Sequence, residues 1–212
     1  MEIINSQIQS YAKKYSSPED DLLKELAAFT KANHPEHNMI SGHLQGKLLT
    51  MFSCMIQPKR ILEIGTLTGY SALCLAKGLT ENGKIHTIEL RGKDAVVAQN
   101  YFNRSELCAK IILHIGDATE IIPKLNDVWD LVFLDADKTG YINYFELVFP
   151  HLKKNGFFVA DNTLFHGQVL EQSPKGKNAK AIQKFNEYIL NRNDVEVMML
   201  TVRDGLTLIR KM

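Results

Sequence analysis

After Pro58 the chain alternates short apolar runs with stretches of helical periodicity, and this alternation restricts the fold more than any other feature. Runs that are apolar throughout and separated by helices predict parallel strands buried on both faces of a sheet. The predicted strands are 60–64, 84–89, 111–115, 131–135 and 156–161. The helices predicted beside them are 71–79, 94–104, 120–125, 141–152 and 179–190.

The two ends of the chain have different patterns. Helices are predicted at 3–15, from Ser17 to 33, and at 42–55, with Ser17 as the N-cap of the second and Pro18 at its first position. At the other end, Arg203-Asp204-Gly205 separates β-rich runs at 195–202 and 206–210, and Asp-Gly in that setting is a hairpin signal. We therefore expect one α/β domain, 1–212, in which an antiparallel pair closes five parallel strands.

Composition limits the classes of protein that fit. With 212 residues, 45% hydrophobic and 23% charged, and a net charge of +1, the chain fits a single globular domain without a broad nucleic-acid footprint. Its three cysteines are widely spaced, which indicates buried free thiols rather than disulfides or a zinc site. We find no signal peptide and no apolar run of membrane-spanning length, and we expect a cytoplasmic protein.

Acidic residues gather at the predicted carboxyl ends of the strands, where an open α/β sheet binds its ligand. Four of the five predicted strands end in a carboxylate, and the other has one just beyond its end. These ends are Glu63 to Gly65, Glu89, Gly116-Asp117, Asp135 and Asp161-Asn162. A purely structural sheet does not need this arrangement, which points to a ligand site.

The loop Glu63-Ile-Gly65-Thr-Leu-Thr-Gly69 has the spacing Gly-x-x-x-Gly, not the Gly-x-Gly-x-x-Gly of dinucleotide sites. Glu63 would repel a diphosphate but suits a cationic ligand, such as the ammonium or sulfonium end of S-adenosylmethionine. Glu89 falls roughly 20 residues beyond the loop, where an acid accepts hydrogen bonds from ribose hydroxyls. Asp117 and Ala118 follow the third strand, where an adenine edge could bind. The competing interpretation is a tight turn with solvated strand-end charges.

Asp135 ends the fourth predicted strand, and Asp161, followed by Asn162, ends the fifth. Neighbouring parallel strands lie about 4.8 Å apart, so these residues can converge. Two carboxylates and an amide oxygen favour Mg²⁺, with Ca²⁺ or Mn²⁺ as alternatives, and they make a poor zinc site. The competing interpretation is that the acids only cap the helices that follow.

The segments LEIGTLTGYS, FLDADK followed by Tyr141 and Tyr144, and VADNTLFHGQV resemble the cation-dependent class I S-adenosylmethionine O-methyltransferases, which include the caffeoyl-CoA and catechol O-methyltransferases. The resemblance extends from Met39 to Thr207. It implies a Rossmann-like, mostly parallel seven-stranded sheet with a C-terminal antiparallel hairpin and helices on both faces. It further implies a homodimer, and N-terminal helices within 1–57 that form part of the cover over the site.

The resemblance also implies residue roles. Asp135, Asp161 and Asn162 match the metal ligands. Lys138 matches the general base and, with Asp135, the catalytic pair. Positions matching cofactor contacts are Met39, Glu63, Gly65, Gly69, Ser71, Glu89, Asp117, Ala118, Asp135 and Asp137. The segment from Ser41 to Gly46 departs from the Ser-Pro-Glu-x-Gly-Gln of bacterial members.

The function predicted is methyl transfer from S-adenosylmethionine, assisted by a divalent cation, to a small molecule with vicinal hydroxyls of catechol or hydroxycinnamoyl type. The alternative is methylation of a wobble 5-hydroxyuridine in tRNA, which the basic segment with Lys175, Lys177 and Lys180 keeps open. Less favoured are a nicotinamide-dependent oxidoreductase and a non-catalytic adenosyl-binding protein. Lys138 itself has an alternative interpretation as a solvated charge paired with Asp137.

Overall fold

A computed structural model describes residues 5–212, apart from the side chain of residue 38. Seven strands form one sheet. They are β1 (Arg60–Ile64), β2 (Lys84–Glu89), β3 (Ile111–Ile115), β4 (Trp129–Leu134), β5 (Leu152–Asp161), β6 (Val195–Leu200) and β7 (Leu206–Lys211). The helices are α1 (Ser6–Lys14), α2 (Asp21–Asn33), α3 (Gly42–Ile56), α4 (Tyr70–Ala76), α5 (Gly92–Arg104), α6 (Ala118–Ile121), α7 (Tyr141–Val148) and α8 (Lys177–Leu190).

The strand order is β3-β2-β1-β4-β5-β7-β6. Strands β1 to β5 pair in parallel, and β7 pairs antiparallel with both β5 and β6. The predicted mostly parallel seven-stranded sheet with a C-terminal antiparallel hairpin is therefore confirmed. The order reverses between β1 and β4, and ligands bind outside the strand ends at such a point.

Each face of the sheet buries its own hydrophobic core. Strand residues alternate between the two, so that Ile61 faces the core shared with α2, α3, α4 and α5, while Leu62 faces the core shared with α7 and α8. Both side chains are fully buried. Coverage on both faces explains why these strands are apolar throughout.

The N-cap predicted for the second helix is wrong. Asp20, not Ser17, caps α2, because its carboxylate accepts a 2.9 Å hydrogen bond from the Leu23 amide and also pairs with Lys77. The Ser17 carbonyl instead accepts a hydrogen bond from the His43 ring. The first predicted helix, 3–15, corresponds to α1, and residues 3 and 4 of that prediction lie outside the described residues.

Three predicted helices extended too far: 71–79, where α4 ends at Ala76, and two that end near a proline. The segment 120–125 contains only the end of α6 before a 3₁₀ turn with Pro123, and α7 gives way to a 3₁₀ turn with Pro150. Strand β5 starts at Leu152, earlier than predicted, and β4 starts at Trp129. Proline lacks the backbone N–H that an α-helix interior needs, so both helices tighten and stop.

The prediction about the cysteines is only partly right. All three are free thiols in the described chain, but only Cys74 is buried, and Cys54 and Cys108 are exposed. Burial raises the pKa of the Cys74 thiol to about 12. Within the described residues, no helix is long and apolar enough to cross a membrane.

Candidate active site

A cavity of about 1260 Å³ opens at the carboxyl ends of the parallel strands. Most of the predicted site residues line it. They are Met39, Gly65, Ser71, Glu89, Asp117, Ala118, Asp135, Asp137, Lys138 and Asn162. Three others, Glu63, Gly69 and Asp161, lie behind the lining.

The glycine loop joins β1 to α4 and needs glycine at both ends. Gly65 has a φ of 96°, and a Cβ atom there would lie 2.1 Å from the carbonyl oxygen of Asp135. Gly69 also has a φ of 96°, and a Cβ atom there would lie 2.6 Å from the ring of Phe102. The loop therefore combines a left-handed backbone with close packing against the end of β4, which only glycine permits.

Glu89, the last residue of β2, ties this loop to the sheet. Its Oε2 accepts hydrogen bonds from the backbone amides of Thr66, at 3.2 Å, and Leu67, at 2.7 Å. Its Oε1 accepts one from the Arg91 amide at 2.9 Å. Each carboxylate oxygen has two lone pairs, so Oε1 of Glu89 can still accept a hydrogen bond from a ligand in the cavity.

Glu63 is fully buried in β1. Its Oε2 accepts a hydrogen bond from the hydroxyl of Thr87, whereas Oε1 has no hydrogen-bond partner within residues 5–212. Burial raises the pKa of Glu63 to about 8, while the hydrogen bond from Thr87 and the nearby hydroxyl of Ser71 oppose the rise. A buried carboxyl with an unsatisfied oxygen next to a ligand loop fits a nearby cationic group.

Asp117 and Asp137 lie on the cavity wall in different settings. Asp117 is exposed and caps α6, and its hydrogen bonds from the hydroxyl and amide of Thr119 hold its pKa below the usual range. Asp137 accepts hydrogen bonds from Tyr144, at 2.5 Å, and from Thr139, at 3.0 Å. Burial, and then the hydrogen bond to Asp137, raise the pKa of Tyr144.

The predicted metal ligands meet where β4 and β5 end. Leu134 pairs with Ala160 in the parallel register, so Asp135 and Asp161 follow at the same level of adjacent strands. Asp161 is 2% exposed. Its Oδ1 accepts a 2.8 Å hydrogen bond from the backbone amide of Asn162, and its Oδ2 accepts a 2.6 Å hydrogen bond from Gln45 Nε2.

The electrostatics of these acids suit a cation. Burial, followed by the negative charge of Asp135, raises the pKa of Asp161 to about 7, while Gln45, Lys138 and Arg203 oppose the rise. Two acids that repel each other in a buried place are stabilised by a positive charge between them. Asn162 has a φ of 57°, a left-handed conformation that asparagine tolerates better than most residues. No group of three His, Cys, Asp or Glu side chains in the described part of the chain is placed to hold a metal. A cation at this point would therefore need the side-chain amide oxygen of Asn162 in addition to the two carboxylates.

Lys138 is paired with Asp135 rather than with Asp137. Its Nζ lies 2.8 Å from Asp135 Oδ1 and 2.7 Å from the hydroxyl of Tyr141, which in turn donates to the carbonyl oxygen of Asp161. Burial favours the neutral amine, but the charge of Asp135 and the contact with Tyr141 outweigh it, so the pKa of Lys138 is raised above its ordinary value. In this arrangement Lys138 is an ammonium group.

Three residues in and around the site, Gln45, Arg203 and Phe165, were not predicted from the sequence. Gln45 and Arg203 connect the acidic end of β5 to the cavity wall, and Phe165 and His166 line the cavity near Asn162. Phe165 and His166 both have positive φ, of 44° and 54°. Backbone strain of this kind concentrates at functional sites, but it leaves no signal in residue type alone.

Comparisons with known proteins agree with this geometry. A family model described as O-methyltransferase matches residues 13–212. The chain is 32% identical over 213 residues to the Dictyostelium discoideum protein named "Probable caffeoyl-CoA O-methyltransferase 1", covering 98% of this chain and 93% of that protein. It is also 32% identical over 206 residues to catechol O-methyltransferase from Niastella koreensis, covering 93% of this chain and 92% of that protein.

A solved structure extends the match to three dimensions. The O-methyltransferase TomG from Streptomyces achromogenes, solved in complex with S-adenosylmethionine, superposes with a TM-score of 0.89 at 28% identity, covering 97% of this chain and 96% of that chain. Fold and site thus define a class I methyltransferase that uses S-adenosylmethionine. The chain belongs to the O-methyltransferase family. Membership of this family excludes the two less favoured predictions, a nicotinamide-dependent oxidoreductase and a non-catalytic adenosyl-binding protein.

Proposed function

We propose that this enzyme methylates a small molecule with vicinal hydroxyls, of catechol or hydroxycinnamoyl type, with the help of a divalent cation. The observation that carries the proposal is the meeting of Asp135, Asp161 and Asn162 at two adjacent strand ends, beside Lys138 on the cavity wall. The names of the relatives, caffeoyl-CoA O-methyltransferase and catechol O-methyltransferase, support this acceptor class.

Asp135, Asp161 and Asn162 would hold the cation, with Mg²⁺ the first choice and Ca²⁺ or Mn²⁺ as alternatives. When bound there, a cation would stabilise the ionised acceptor hydroxyl and orient its neighbour. In the reaction, the acceptor oxygen loses its proton and bonds to the methyl carbon, while the methyl–sulfur bond breaks and leaves S-adenosylhomocysteine. Positioning the two reactants accounts for a large part of the rate in such transfers.

Lys138 is proposed as the residue that handles the acceptor proton. Its Nζ lies at the acidic end of the cavity, 2.8 Å from Asp135. As an ammonium it would stabilise the ionised oxygen, and as a neutral amine it would accept the proton. The base role predicted from the family resemblance stays a prediction.

The rest of the cavity is assigned to S-adenosylmethionine. Glu89 would accept a hydrogen bond from a ribose hydroxyl, and Asp117 and Ala118 would contact the adenine. Gly65 and Gly69 would shape the loop under the methionine end, and Ser71, at the start of α4, would contact it. Glu63 behind the loop would be the acid for its positive charge, and Asp137 would lie at the junction with the acceptor. Met39 would close over that end, as part of a cover formed by residues 1–57 of a single domain.

Assembly is proposed as a homodimer. Helix α1 with its C-cap residue, and helix α3, expose large side chains, namely Tyr11, Tyr15, Met51 and Met55, each more than half exposed. Exposed apolar side chains in such number on neighbouring helices favour association. Light scattering coupled to size exclusion gives the mass directly, and a monomer at micromolar concentration would contradict the proposal.

An acceptor screen tests the proposed function. Purified enzyme, labelled S-adenosylmethionine and Mg²⁺ are incubated separately with catechol, a hydroxycinnamoyl ester, guaiacol and unfractionated tRNA. We expect transfer to the vicinal diols and little to guaiacol, in which one hydroxyl is already methylated. Transfer to tRNA alone would favour the second candidate, which rests on Lys177, Lys180 and Lys184 lining a smaller cavity of about 370 Å³ beside Lys138.

A further inference from the structure

Arg203, in the turn between β6 and β7, has a strained backbone and a side chain whose Nη1 makes hydrogen bonds to three residues. Its φ is 50°, a left-handed conformation that glycine adopts more easily than arginine. Strain of this kind persists where the surrounding structure fixes the residue. The contacts of the side chain therefore need an explanation.

The guanidinium group connects the turn to the opposite wall of the cavity. Nη1 is directed at the carbonyl oxygens of Ile40, at 3.0 Å, and Ser41, and at Gln45 Oε1, at 2.7 Å. Ile40 and Ser41 line the cavity just before α3, in the segment proposed to cover the methionine end. Arg203 thus ties this cover to the β6–β7 turn.

Gln45, which is 1% exposed, forms hydrogen bonds to both Arg203 and Asp161. An arginine side chain can only donate, so the amide oxygen of Gln45 must face Arg203 and its NH₂ group must face Asp161. Gln45 Nε2 donates to Asp161 Oδ2 at 2.6 Å. The hydrogen bonds therefore run in one direction, from Arg203 through Gln45 to Asp161.

The result is a carboxylate whose orientation is fixed at both oxygens. The backbone amide of Asn162 donates to Oδ1 at 2.8 Å, and the side chain of Gln45 donates to Oδ2. Each oxygen keeps a second lone pair, so a cation can still bind. Loss of a group that orients a metal ligand in this way typically lowers metal affinity by about 10–100-fold.

We propose that Gln45 and Arg203 are positioning residues, which hold Asp161 in the orientation that binds the cation and fasten the cover segment to the same point. The inference rests on the proposed function, since it assumes that Asp161 is a cation ligand. It goes further by assigning cation affinity to two residues that do not contact the cation and that couple the cover to the acceptor site.

The test measures Mn²⁺ binding directly, from the electron paramagnetic resonance signal of the free ion, in four proteins. Gln45→Met keeps the length of the side chain and removes its hydrogen bonds. Arg203→Gly removes the guanidinium while supplying a residue that accepts φ of 50°. Gln57→Gly is the matched control, because Gln57 is exposed at the far end of α3 and has the same φ of 50°.

We expect the wild type and Gln57→Gly to bind Mn²⁺ alike, and Gln45→Met and Arg203→Gly to bind about 10–100-fold more weakly. Thermal unfolding identifies any variant that has not folded, and Arg203→Gly remains interpretable if Gln45→Met fails. Folded variants with wild-type affinity would overturn the positioning role alone. A wild type that binds no Mn²⁺ would overturn the proposed metal site and the positioning role together.

Discussion

The ammonium nitrogen of Lys138 lies 2.8 Å from Oδ1 of Asp135, at the point where β4 ends and the chain turns toward α7. The pair is only slightly exposed, with 11% of the lysine and 17% of the aspartate side chain reaching solvent. One carboxylate is thus shared between a lysine and the proposed cation site. This relationship connects acceptor activation to metal binding and leads to the first prediction.

Lys138→Ala should lower kcat by about 100-fold or more, since positioned proton transfer contributes about that much or more. Its KM values should change little, because substrate is bound mainly elsewhere in the cavity. Steady-state rates with catechol measure both quantities. Lys153→Ala, which removes an exposed ion pair with Asp130, serves as the control. A Lys138→Ala enzyme with the wild-type kcat would end the proton-handling role.

Glu63→Gln tests the buried acid through the pH dependence of stability. The pKa of Glu63 is about 8 in the folded protein, against an ordinary value of 4.5 in an unfolded chain. Between these values the folded state keeps a proton that the unfolded state has lost. The contribution of Glu63 to stability is therefore complete below pH 4.5 and is lost as pH rises through 8.

Relative to Glu63→Gln, the wild-type free energy of unfolding should fall by about 1.4 kcal/mol per pH unit across this window. Urea denaturation of both proteins from pH 5 to 9, with chelator and without ligand, measures the difference. Asp135 and Glu89 also act on Glu63, and both remain in the variant, so the comparison isolates Glu63. A difference that does not vary with pH would show that Glu63 is not protonated in the fold.

Gly65→Ala should disrupt the loop. The new methyl group would lie 2.1 Å from the carbonyl oxygen of Asp135, and φ would remain at 96°. Overpacking and a left-handed alanine together cost about 2–5 kcal/mol, or roughly 5–15 °C in Tm for a chain of this size. Binding of S-adenosylhomocysteine should be lost as well.

Differential scanning fluorimetry with and without S-adenosylhomocysteine checks this prediction. Gly92→Ala is the matched control, since a methyl group at the start of α5 meets no atom within 4 Å. That variant should keep both its Tm and its ligand-induced shift. A Gly65→Ala protein that behaves like Gly92→Ala would contradict the role assigned to the glycine loop.

The sequence predicted the features that depend on local pattern. Continuous apolar runs located all five parallel strands, and Asp-Gly located the hairpin, because buried strands and turns need particular residue types. The meeting of Asp135 with Asp161 followed from placing two parallel strands side by side. Their register, with Leu134 opposite Ala160, confirms that placement.

What could not be predicted depends on contacts between distant parts of the chain. The cap of α2 is a partial exception: Asp20 and Ser17 are both good capping residues, so the local pattern left the choice open, and Asp20 also pairs with Lys77, far along the chain. Gln45 and Arg203 are separated by most of the protein, and only the folded chain shows that they share a hydrogen bond. Lys138 pairs with Asp135 rather than with its neighbour Asp137. The Asp137 carboxylate already accepts hydrogen bonds from Thr139 and Tyr144, which only the folded chain shows.

The central claim is that a cation held by Asp135, Asp161 and Asn162 assists methyl transfer. Its most direct test is the initial rate of catechol methylation by enzyme stripped with EDTA and dialysed, measured as Mg²⁺ is added back. We predict almost no product without the cation and saturable recovery with it, and no recovery in Asp161→Ala even though S-adenosylhomocysteine still binds. Full activity of the stripped wild-type enzyme in EDTA would contradict the claim.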